Sequence, residues 1–390
     1  MKINLIPFIF LIVGTINCIS QEKGVISEEK IGHIYKPEKV NPTEDKLSSL
    51  EMPEGFKIQK FAENLEKPRM MAVSESGDVY VTRRQGDVVL LKDENGDGKA
   101  DIQNTVVTKE GAHGVAIKGN TFYLITVNDI FKAEINNDGS IGELEKFVKN
   151  LPDGGQHPNR TIEFGPDGML YVSVGSTCNA CAETREENAT ILKVNPETGE
   201  RTIFATGLRN TIGFQWHPET GALYGMDHGI DWLGDDDQKE ELNRIEEGNN
   251  YGWPYIYADG KFNKADEPPK TTWEEYAKKT TYPELLFTAH SAPMDMIFYK
   301  GNMFPEEYEN SAIVSFHGSW NRKPASGYKL MKVSFADGKA AKAEDFVTGF
   351  LSKDGSSQFG RPVGLVELQD GSVLIADDET GIIYRLSYQE

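Results

Sequence analysis

Short apolar stretches alternate with Gly/Asp/Asn turns along most of the chain. Residues 70–92, MMAVSESGDVYVTRRQGDVVLLK, are typical, because apolar and polar positions alternate on both sides of a turn. A period of two predicts β-strands, and turn residues between such runs predict antiparallel hairpins. Comparable units follow, and the six begin at Met70, Gly114, Arg160, Ile212, Met294 and Gly364.

The spacing of these units predicts how the sheets are arranged. The first three intervals are close to the roughly 40–50 residues of a propeller blade, and the last two are longer, which indicates insertions. We therefore predict an all-β fold, a six-bladed β-propeller with antiparallel four-stranded blades, over residues 51–390. Residues 56–62 should pair with the last blade and close the ring. One insertion, residues 272–279, has a helical pattern.

The first fifty residues differ from this pattern. Lys2 precedes an apolar run over residues 5–13, which is shorter than the about 20 residues that span a bilayer. Residues 1–20 are predicted to be a signal peptide, and a lipoprotein signal with lipidated Cys18 is the alternative. Residues 21–50 are polar and predict a flexible tether. We expect the mature protein to be exported, either to the periplasm or out of the cell. No segment after the predicted signal peptide is apolar enough to predict a transmembrane span.

Charge and cysteine usage narrow the function classes. The net charge is −20. Proteins that bind nucleic acids or anionic membranes use patches of Lys and Arg, so we expect neither of them to be a partner. Cys178 and Cys181 form a C-x-x-C pair, for which a local disulfide is expected in an exported protein and a redox-active pair is the alternative. Residues 93–104 match the start of a calcium loop, but Asn104 replaces the bidentate Glu. Structural calcium and a plain polar turn both remain open there.

A propeller encloses a central channel, and residues just before or after its inner strands ring that channel. Five of the seven histidines fall at such places. The full set of polar candidates is His113, His157, Arg160, Arg209, Asn210, His228, His290, His317 and Arg361. Imidazole and guanidinium groups that converge in this way predict a site for a carboxylate-bearing ligand. The chain has no G-x-S-x-G, H-E-x-x-H or P-loop motif, and it has no glycine fingerprint opening a helix.

The ordered blocks along the chain resemble a known family. They are AHGVAI, GGQHPNR with FGPDGMLYVSVGS, TCNAC, GLRNTIG, GNNYGWP, SFHGSWNR and GRPVGL. From residue 55 onward the sequence resembles the soluble quinoprotein sugar dehydrogenases, which use pyrroloquinoline quinone (PQQ). The family includes aldose, glucose and L-sorbosone dehydrogenases, and the sorbosone branch is the most similar. The resemblance implies a six-bladed propeller that holds PQQ over the channel.

The resemblance also implies catalytic residues. His157 matches the general base, which takes the proton of the sugar's anomeric hydroxyl while hydride passes to the quinone. Arg209 and Asn210 match the residues beside the quinone carbonyls, and Arg209 would stabilise negative charge on the quinone oxygen. The residue before the base is Asp in the glucose enzymes and Gln156 here, so glucose is not assumed to be the substrate.

Further matches imply cofactor and metal contacts. Arg361 matches an arginine that meets PQQ. His113 occupies the place of a glutamine near the substrate, and His317 that of a lysine on PQQ, so both are predicted to be cofactor-binding. Ca²⁺ would be held partly by the backbone carbonyls of Gly229 and Ile230 and would polarise the quinone.

These matches predict a PQQ- and Ca²⁺-dependent dehydrogenase that oxidises an aldose or sorbosone-like sugar. A quinone or a cytochrome is expected to accept its electrons. A calcium-dependent propeller hydrolase, such as a lactonase, and a non-catalytic binding propeller are the alternatives, because propellers serve many functions.

Overall fold

The computed structural model describes residues 31–389, which form one compact unit. The predicted signal peptide, residues 1–20, and the first part of the predicted tether lie outside the described residues. In chain order the strands of the first half are β1 Glu38–Lys39, β2 Phe56–Ala62, β3 Pro68–Val73, β4 Val79–Arg83, β5 Asp87–Lys92, β6 Ile102–Thr108, β7 Val115–Lys118, β8 Thr121–Ile125, β9 Ile130–Glu134, β10 Glu145–Val148, β11 Ile162–Phe164, β12 Leu170–Val174, β13 Thr190–Val194 and β14 Arg201–Thr206.

The second half continues the same pattern. Its strands are β15 Thr211–Trp216, β16 Leu223–Asp227, β17 Glu240–Ile245, β18 Ile256–Tyr257, β19 Lys261–Phe262, β20 Leu285–Phe287, β21 Pro293–Phe298, β22 Ala312–Phe316, β23 Lys329–Ala336, β24 Lys339–Val347, β25 Ser357–Gln358, β26 Pro362–Glu367, β27 Val373–Asp377 and β28 Ile382–Tyr388. The helices are α1 Glu44–Ser48 and α2 Trp273–Ala277, with a 3₁₀ turn at Glu306–Tyr308. Helix α2 lies within the insertion that was predicted to be helical.

Six four-stranded antiparallel sheets form the blades, which confirms the predicted propeller. Blades 1 to 3 are β3–β6, β7–β10 and β11–β14; blade 4 is β15, β16, β17 and β20; blade 5 is β21–β24. Blade 6 has the order β2-β28-β27-β26. The N-terminal strand β2 thus completes the last blade, as predicted, and Phe56 pairs with Tyr388.

The core lies between blades rather than inside them. Each blade is a twisted sheet that can cover its two faces only against its neighbours. Between blades 1 and 2, for example, Tyr80 and Leu90 pack with Phe122 and Leu124, all almost fully buried. Five similar clusters join the remaining neighbouring blades.

Residues 31–50 are packed on the propeller, which corrects the expectation of a flexible tether for this part of the chain. Strand β1 pairs in parallel with β25. Helix α1 begins after the N-cap Thr43 and buries Leu47, and Leu50 is buried beside it. Burial of two leucines supplies hydrophobic stabilisation that local sequence periodicity does not reveal. Within residues 31–389, no helix has the length and apolar character needed to cross a membrane.

The antiparallel pairing brings the functional loops to one end of the channel. The first residues of each inner strand pair with the last residues of the second strand, as Pro68 does with Arg83 and Pro362 with Asp377. Loops that precede inner strands and loops that follow second strands therefore share one end, which we call the channel mouth. Polar side chains delivered by loops from a rigid scaffold are a common setting for chemistry.

Phe56 tests the importance of ring closure. Its ring contacts those of Phe304, Tyr308, Phe346 and Tyr388 at centroid distances of 4.8–5.1 Å. Phe56→Ala should lower the free energy of unfolding by about 3–5 kcal/mol, because it leaves a cavity in the closure. The control is Lys57→Ala, whose exposed side chain should matter by less than about 0.5 kcal/mol. Equal denaturation midpoints for the two variants would argue against this account.

Candidate active site

Side chains and backbone atoms of all six blades meet at the channel mouth. Arg69 of blade 1 lies 3.5 Å from His113, and His113 Nδ1 contacts the Arg160 carbonyl at 2.9 Å. Ser176 N–H donates to the Arg209 carbonyl, and His228 Nε2 lies 2.5 Å from the Pro293 carbonyl. His317 Nε2 contacts Asp378 at 2.7 Å, and Arg69 donates to the other oxygen of Asp378 at 2.6 Å. These contacts form a closed circuit around the mouth.

His157 has one ring nitrogen engaged and one available. Its Nδ1 lies 2.9 Å from the Ser176 carbonyl oxygen and 2.8 Å from Ser176 Oγ. A carbonyl oxygen can only accept, so Nδ1 must carry the hydrogen. Ser176 Oγ donates in turn to the Cys178 carbonyl at 2.8 Å, which leaves its lone pairs free to accept from the imidazole. Nε2 therefore keeps its lone pair, and it has no hydrogen bond to a residue within 31–389.

A buried arginine holds the loop that carries His157. Arg160 is fully buried, and its guanidinium donates to the carbonyls of His157, Pro152 and Asp153 at 2.8–3.3 Å. Gly175 lies against this loop, because a Cβ there would be 2.7 Å from His157 Cβ and 2.8 Å from Asn210 Oδ1. The glycine in the VSVGS block is therefore required for the close approach of His157 and Asn210.

Arg209 is buried beside His157. Its Nε donates to the Asn179 carbonyl at 2.8 Å, and a terminal nitrogen donates to Asn179 Oδ1 at 2.7 Å. Contacts to the His228 carbonyl and to Asp231 are longer, at 3.4 Å each. Asp231 also accepts from Gln156 Nε2, so Gln156 points toward Asp231.

The remaining predicted cofactor contacts belong to blades 5 and 6, because His317 follows β22 and Arg361 precedes β26. Asp378 is shared by Arg69 and His317, both with little exposure. Arg361 donates hydrogen bonds to the carbonyls of His317 and Gly318, so its guanidinium stabilises the loop after β22. A cavity of about 310 Å³ lies beside this group, and residues that line it include Arg69, Arg84, His113, Asn159, His317 and Asp378.

Gly229 and Ile230 lie in the loop that follows β16. The Gly229 N–H donates to Glu240 at 2.9 Å, and the Ile230 N–H donates to Gln238 Oε1 at 3.2 Å. Among the described residues, none donates a hydrogen bond to the carbonyl of Gly229 or Ile230. Glu240 is buried and also accepts from the Ala292 N–H, which ties this loop to blade 5.

Several other predicted features are placed as well. Cys178 and Cys181 form a disulfide, as predicted for an exported protein. His290 contacts Asn321 and the Gly234 carbonyl. In the region that resembles a calcium loop, Asp93 and Asp101 accept hydrogen bonds from backbone N–H groups of their own turn. The hypothesis of structural calcium there stays a prediction.

Four residues of the mouth were not among the predicted site residues, namely Arg69, Ser176, Asn179 and Asp378. Arg69 lies at the start of inner strand β3, and Asp378 follows β27, so the positional rule that selected His113 and His317 could have found both. Ser176 follows β12 by two residues and falls under the same rule, whereas Asn179 lies further into the loop and gave no such signal.

Burial and neighbouring cations keep the imidazoles neutral. Burial and then the positive charge of Arg209 lower the pKa of His157 to about 3. Burial and Arg69 lower the pKa of His113 to about 3 in the same way. Burial outweighs the attraction of Asp378 and lowers the pKa of His317. The mouth therefore presents neutral imidazoles beside charged guanidinium groups.

Fold and site together define a six-bladed propeller with a cationic channel mouth. A family model described as TrAA12-like matches residues 50–389, and the chain belongs to this family. An uncharacterized protein of Borreliella burgdorferi is 31% identical over 369 residues, covering 89% of this chain and 93% of that protein. A PQQ-dependent sugar dehydrogenase of Hypocrea jecorina is 24% identical over 387 residues, covering 85% and 88%.

Two solved structures are similar over nearly the whole propeller. The calcium structure of the Trichoderma reesei family AA12 enzyme has a TM-score of 0.76 at 23% identity and covers 87% of this chain and 97% of that one. The holo PQQ domain of Coprinopsis cinerea pyranose dehydrogenase has a TM-score of 0.77 at 18% identity, covering 91% and 100%. At these identities the likeness shows the shared fold.

The lowered pKa of His157 gives a direct prediction. Because the folded protein disfavours the imidazolium, the ring of His157 should stay neutral as the pH falls from 8 to about 4.5 in the protein without ligands. NMR of protein labelled with ¹³C-histidine should show a constant resonance over this range, and His157→Gln would identify that resonance. Protonation with a midpoint between pH 6 and 7 would contradict the assigned environment.

Proposed function

We propose that this protein is a PQQ- and Ca²⁺-dependent dehydrogenase that oxidises an aldose or a sorbosone-like sugar. The observation that carries the proposal is that buried guanidinium groups, those of Arg69, Arg160 and Arg209, share the channel mouth of a TrAA12-like propeller with the neutral imidazole of His157. Support also comes from the relative named as a PQQ-dependent sugar dehydrogenase. A quinone or a cytochrome is the proposed electron acceptor.

The residues at the mouth fit an anionic cofactor with several carboxylates. Arg69 and Arg209 are 6% and 2% exposed, and buried cations are unfavourable unless an anion or well-placed acceptors offset them. Asp378 pairs with Arg69 and accepts from the neutral His317, whereas the nearest ion-pair contact of Arg209, to Asp231, is 3.4 Å long. Arg69 and Arg361 would meet PQQ carboxylates on the side of His113 and His317, and Arg209 with Asn210 would lie beside the quinone carbonyls. When bound, PQQ supplies a quinone that accepts hydride from the sugar, and with it both electrons.

His157 is the proposed general base. Its Nε2 lone pair is the acceptor for the proton of the anomeric hydroxyl, and Ser176 fixes the required tautomer through Nδ1. Negative charge bound beside Arg209 would offset that guanidinium and raise the pKa of His157 toward the working pH. Arg209 is held before any substrate arrives, so it can stabilise developing negative charge with little reorganisation.

Gly229 and Ile230 are the proposed backbone ligands of Ca²⁺. Their N–H groups are bound by Glu240 and Gln238, which fixes the peptide planes of the loop. Oxygen ligands suit this hard cation. Burial raises the pKa of Asp227 to about 6 and that of Glu240 to about 7, and a bound cation nearby would favour the ionised form of both carboxyl groups. Bound calcium would act as a Lewis acid beside the quinone site.

Export from the cytoplasm, with a signal peptide or a lipidated Cys18, remains part of the proposal. The disulfide between Cys178 and Cys181 supports it, because such bonds persist mainly in oxidising compartments.

Reconstitution tests the function. Purified protein supplied with PQQ and Ca²⁺ should reduce an artificial dye in the presence of at least one sugar from a panel of aldoses and sorbosone-like sugars. Omitting PQQ should abolish the reaction, and chelation of Ca²⁺ should reduce it strongly. No PQQ-dependent reduction with any sugar would overturn the proposal, whereas hydrolysis of a lactone without PQQ would favour a hydrolase.

A variant of His157 distinguishes a role in catalysis from a role in cofactor binding. His157→Ala should lower kcat by about 100-fold or more, as expected for loss of a general base, while PQQ affinity measured by absorbance changes by less than about threefold. The control is His217→Gln, since His217 packs against Phe298 and Phe335 in an aromatic cluster away from the mouth. It should retain turnover. If His157→Ala instead loses PQQ affinity with kcat preserved, the assigned role is wrong.

A further inference from the structure

The cysteine loop, residues 176–183, contacts both proposed catalytic side chains. It lies between β12 and β13, where Ser176 bonds the Nδ1 of His157 and Asn179 bonds the guanidinium of Arg209. Ser176 Oγ also donates to the Cys178 carbonyl. One short segment therefore determines the tautomer of His157 and the direction of Arg209.

Asn179 makes the two short contacts of the Arg209 side chain. Its carbonyl and its Oδ1 accept at 2.8 and 2.7 Å, whereas the contacts to the His228 carbonyl and Asp231 are 3.4 Å long. Two parallel acceptors fix the plane of a guanidinium as well as its position. Asn179 Oδ1 also accepts from the Asp231 N–H at 2.9 Å, which links the loop to the segment after Ile230.

The disulfide closes this loop around Asn179. Cys178 and Cys181 flank it, with their Cα atoms 6.1 Å apart. The carboxylate of Glu183 adds a second restraint, because it accepts from the backbone N–H and the hydroxyl of Thr177 at 2.7 Å each. Both cysteines are only partly buried, so a small reductant can reach them.

We propose that Asn179 is a positioning residue for Arg209, and that the Cys178–Cys181 disulfide makes turnover depend on thiol–disulfide state by holding Asn179 in place. The role in turnover rests on the proposed function. A dithiol attacks one cysteine sulfur to form a mixed disulfide and then closes to its own disulfide. Two electrons and two protons pass to the protein, the S–S bond breaks, and Cys178 and Cys181 become thiols. The carbonyl and side chain of Asn179 are then no longer held in place by a closed loop.

Variants of Asn179 test the positioning role with the disulfide intact. Asn179→Ala removes one acceptor from a charged donor and should lower kcat about tenfold or more, with KM for the sugar changed by less than about threefold. Asn179→Asp keeps an oxygen at that place but adds a charge that offsets Arg209, so it should hold the guanidinium in position and recover only part of the lost kcat. The control in the same loop, Ala180→Ser, should stay within about twofold. Equal kcat values for Asn179→Ala and the control would overturn the positioning role.

A measurement without PQQ separates this inference from the proposed function. Arg209 is one of the charges that lower the pKa of His157. If Asn179→Ala lets Arg209 move away, the pKa of His157 in the ligand-free protein should rise, which NMR of ¹³C-histidine detects. An unchanged titration would mean that the side chain of Asn179 does not hold Arg209 in place. A protein with no PQQ-dependent turnover would defeat the proposed function, and this titration would still decide the role of the loop.

Reduction tests the disulfide itself. The protein is treated with a dithiol, alkylated with iodoacetamide and freed of reagents before PQQ and dye are added, and mass spectrometry counts the modified cysteines. Turnover should fall about tenfold, as for Asn179→Ala. The double variant Cys178→Ser with Cys181→Ser should show the same loss and no further response to the dithiol, and it accounts for any effect at Cys18. Turnover within twofold of untreated protein in both experiments would overturn the redox dependence.

Discussion

Burial of guanidinium groups at the channel mouth is the constraint on which the site depends. A buried cation is strongly unfavourable unless acceptors surround it, and here many of those acceptors are backbone carbonyls. Arg160 uses the carbonyls of residues 152, 153 and 157, and Arg361 uses those of residues 317 and 318. Carbonyls satisfy the N–H donors without cancelling the charge. The loops are thereby ordered around cations that keep much of their attraction for an anionic ligand.

The propeller supplies the position of these loops. Antiparallel pairing places the start of every inner strand beside the end of the second strand, so each blade contributes two loops to one end of the channel. No single blade could assemble the circuit, because Arg69, His113, Arg209 and Asp378 come from four blades. Ring closure through β2 and β28 is therefore a condition for the site as well as for stability, since blade 6 carries both Arg361 and Asp378.

The parts that the sequence could predict are those with short-range signals. Alternation and Gly/Asp turns predicted the inner strands, and the position before an inner strand predicted that His113, Arg209 and Arg361 belong to one end. Outer strands such as β6 were harder to predict from the sequence, because Ile102–Thr108 is mostly solvent-exposed and has a weak apolar pattern. Helix α1 and the packing of residues 31–50 depend on contacts with distant parts of the chain. The roles of Ser176 and Asn179 also depend on tertiary contacts, and their residue types alone indicate only a polar loop.

An acidic protein can hold an anionic ligand because charges of each sign are bound by backbone groups of the opposite polarity. The carboxylate of Asp227 accepts from the N–H groups of Arg209 and Asn210, and Glu240 accepts from those of Gly229 and Ala292. The guanidinium groups of Arg160 and Arg361 bind backbone carbonyls instead, whereas that of Arg69 is paired with Asp378. Because Asp227 contacts the backbone of Arg209 rather than its side chain, the carboxylate orders this loop and leaves the guanidinium directed toward Asn179. The net charge of −20 therefore does not describe the mouth, where Arg160 and Arg361 bind backbone carbonyls while Asp227 and Glu240 bind backbone N–H groups.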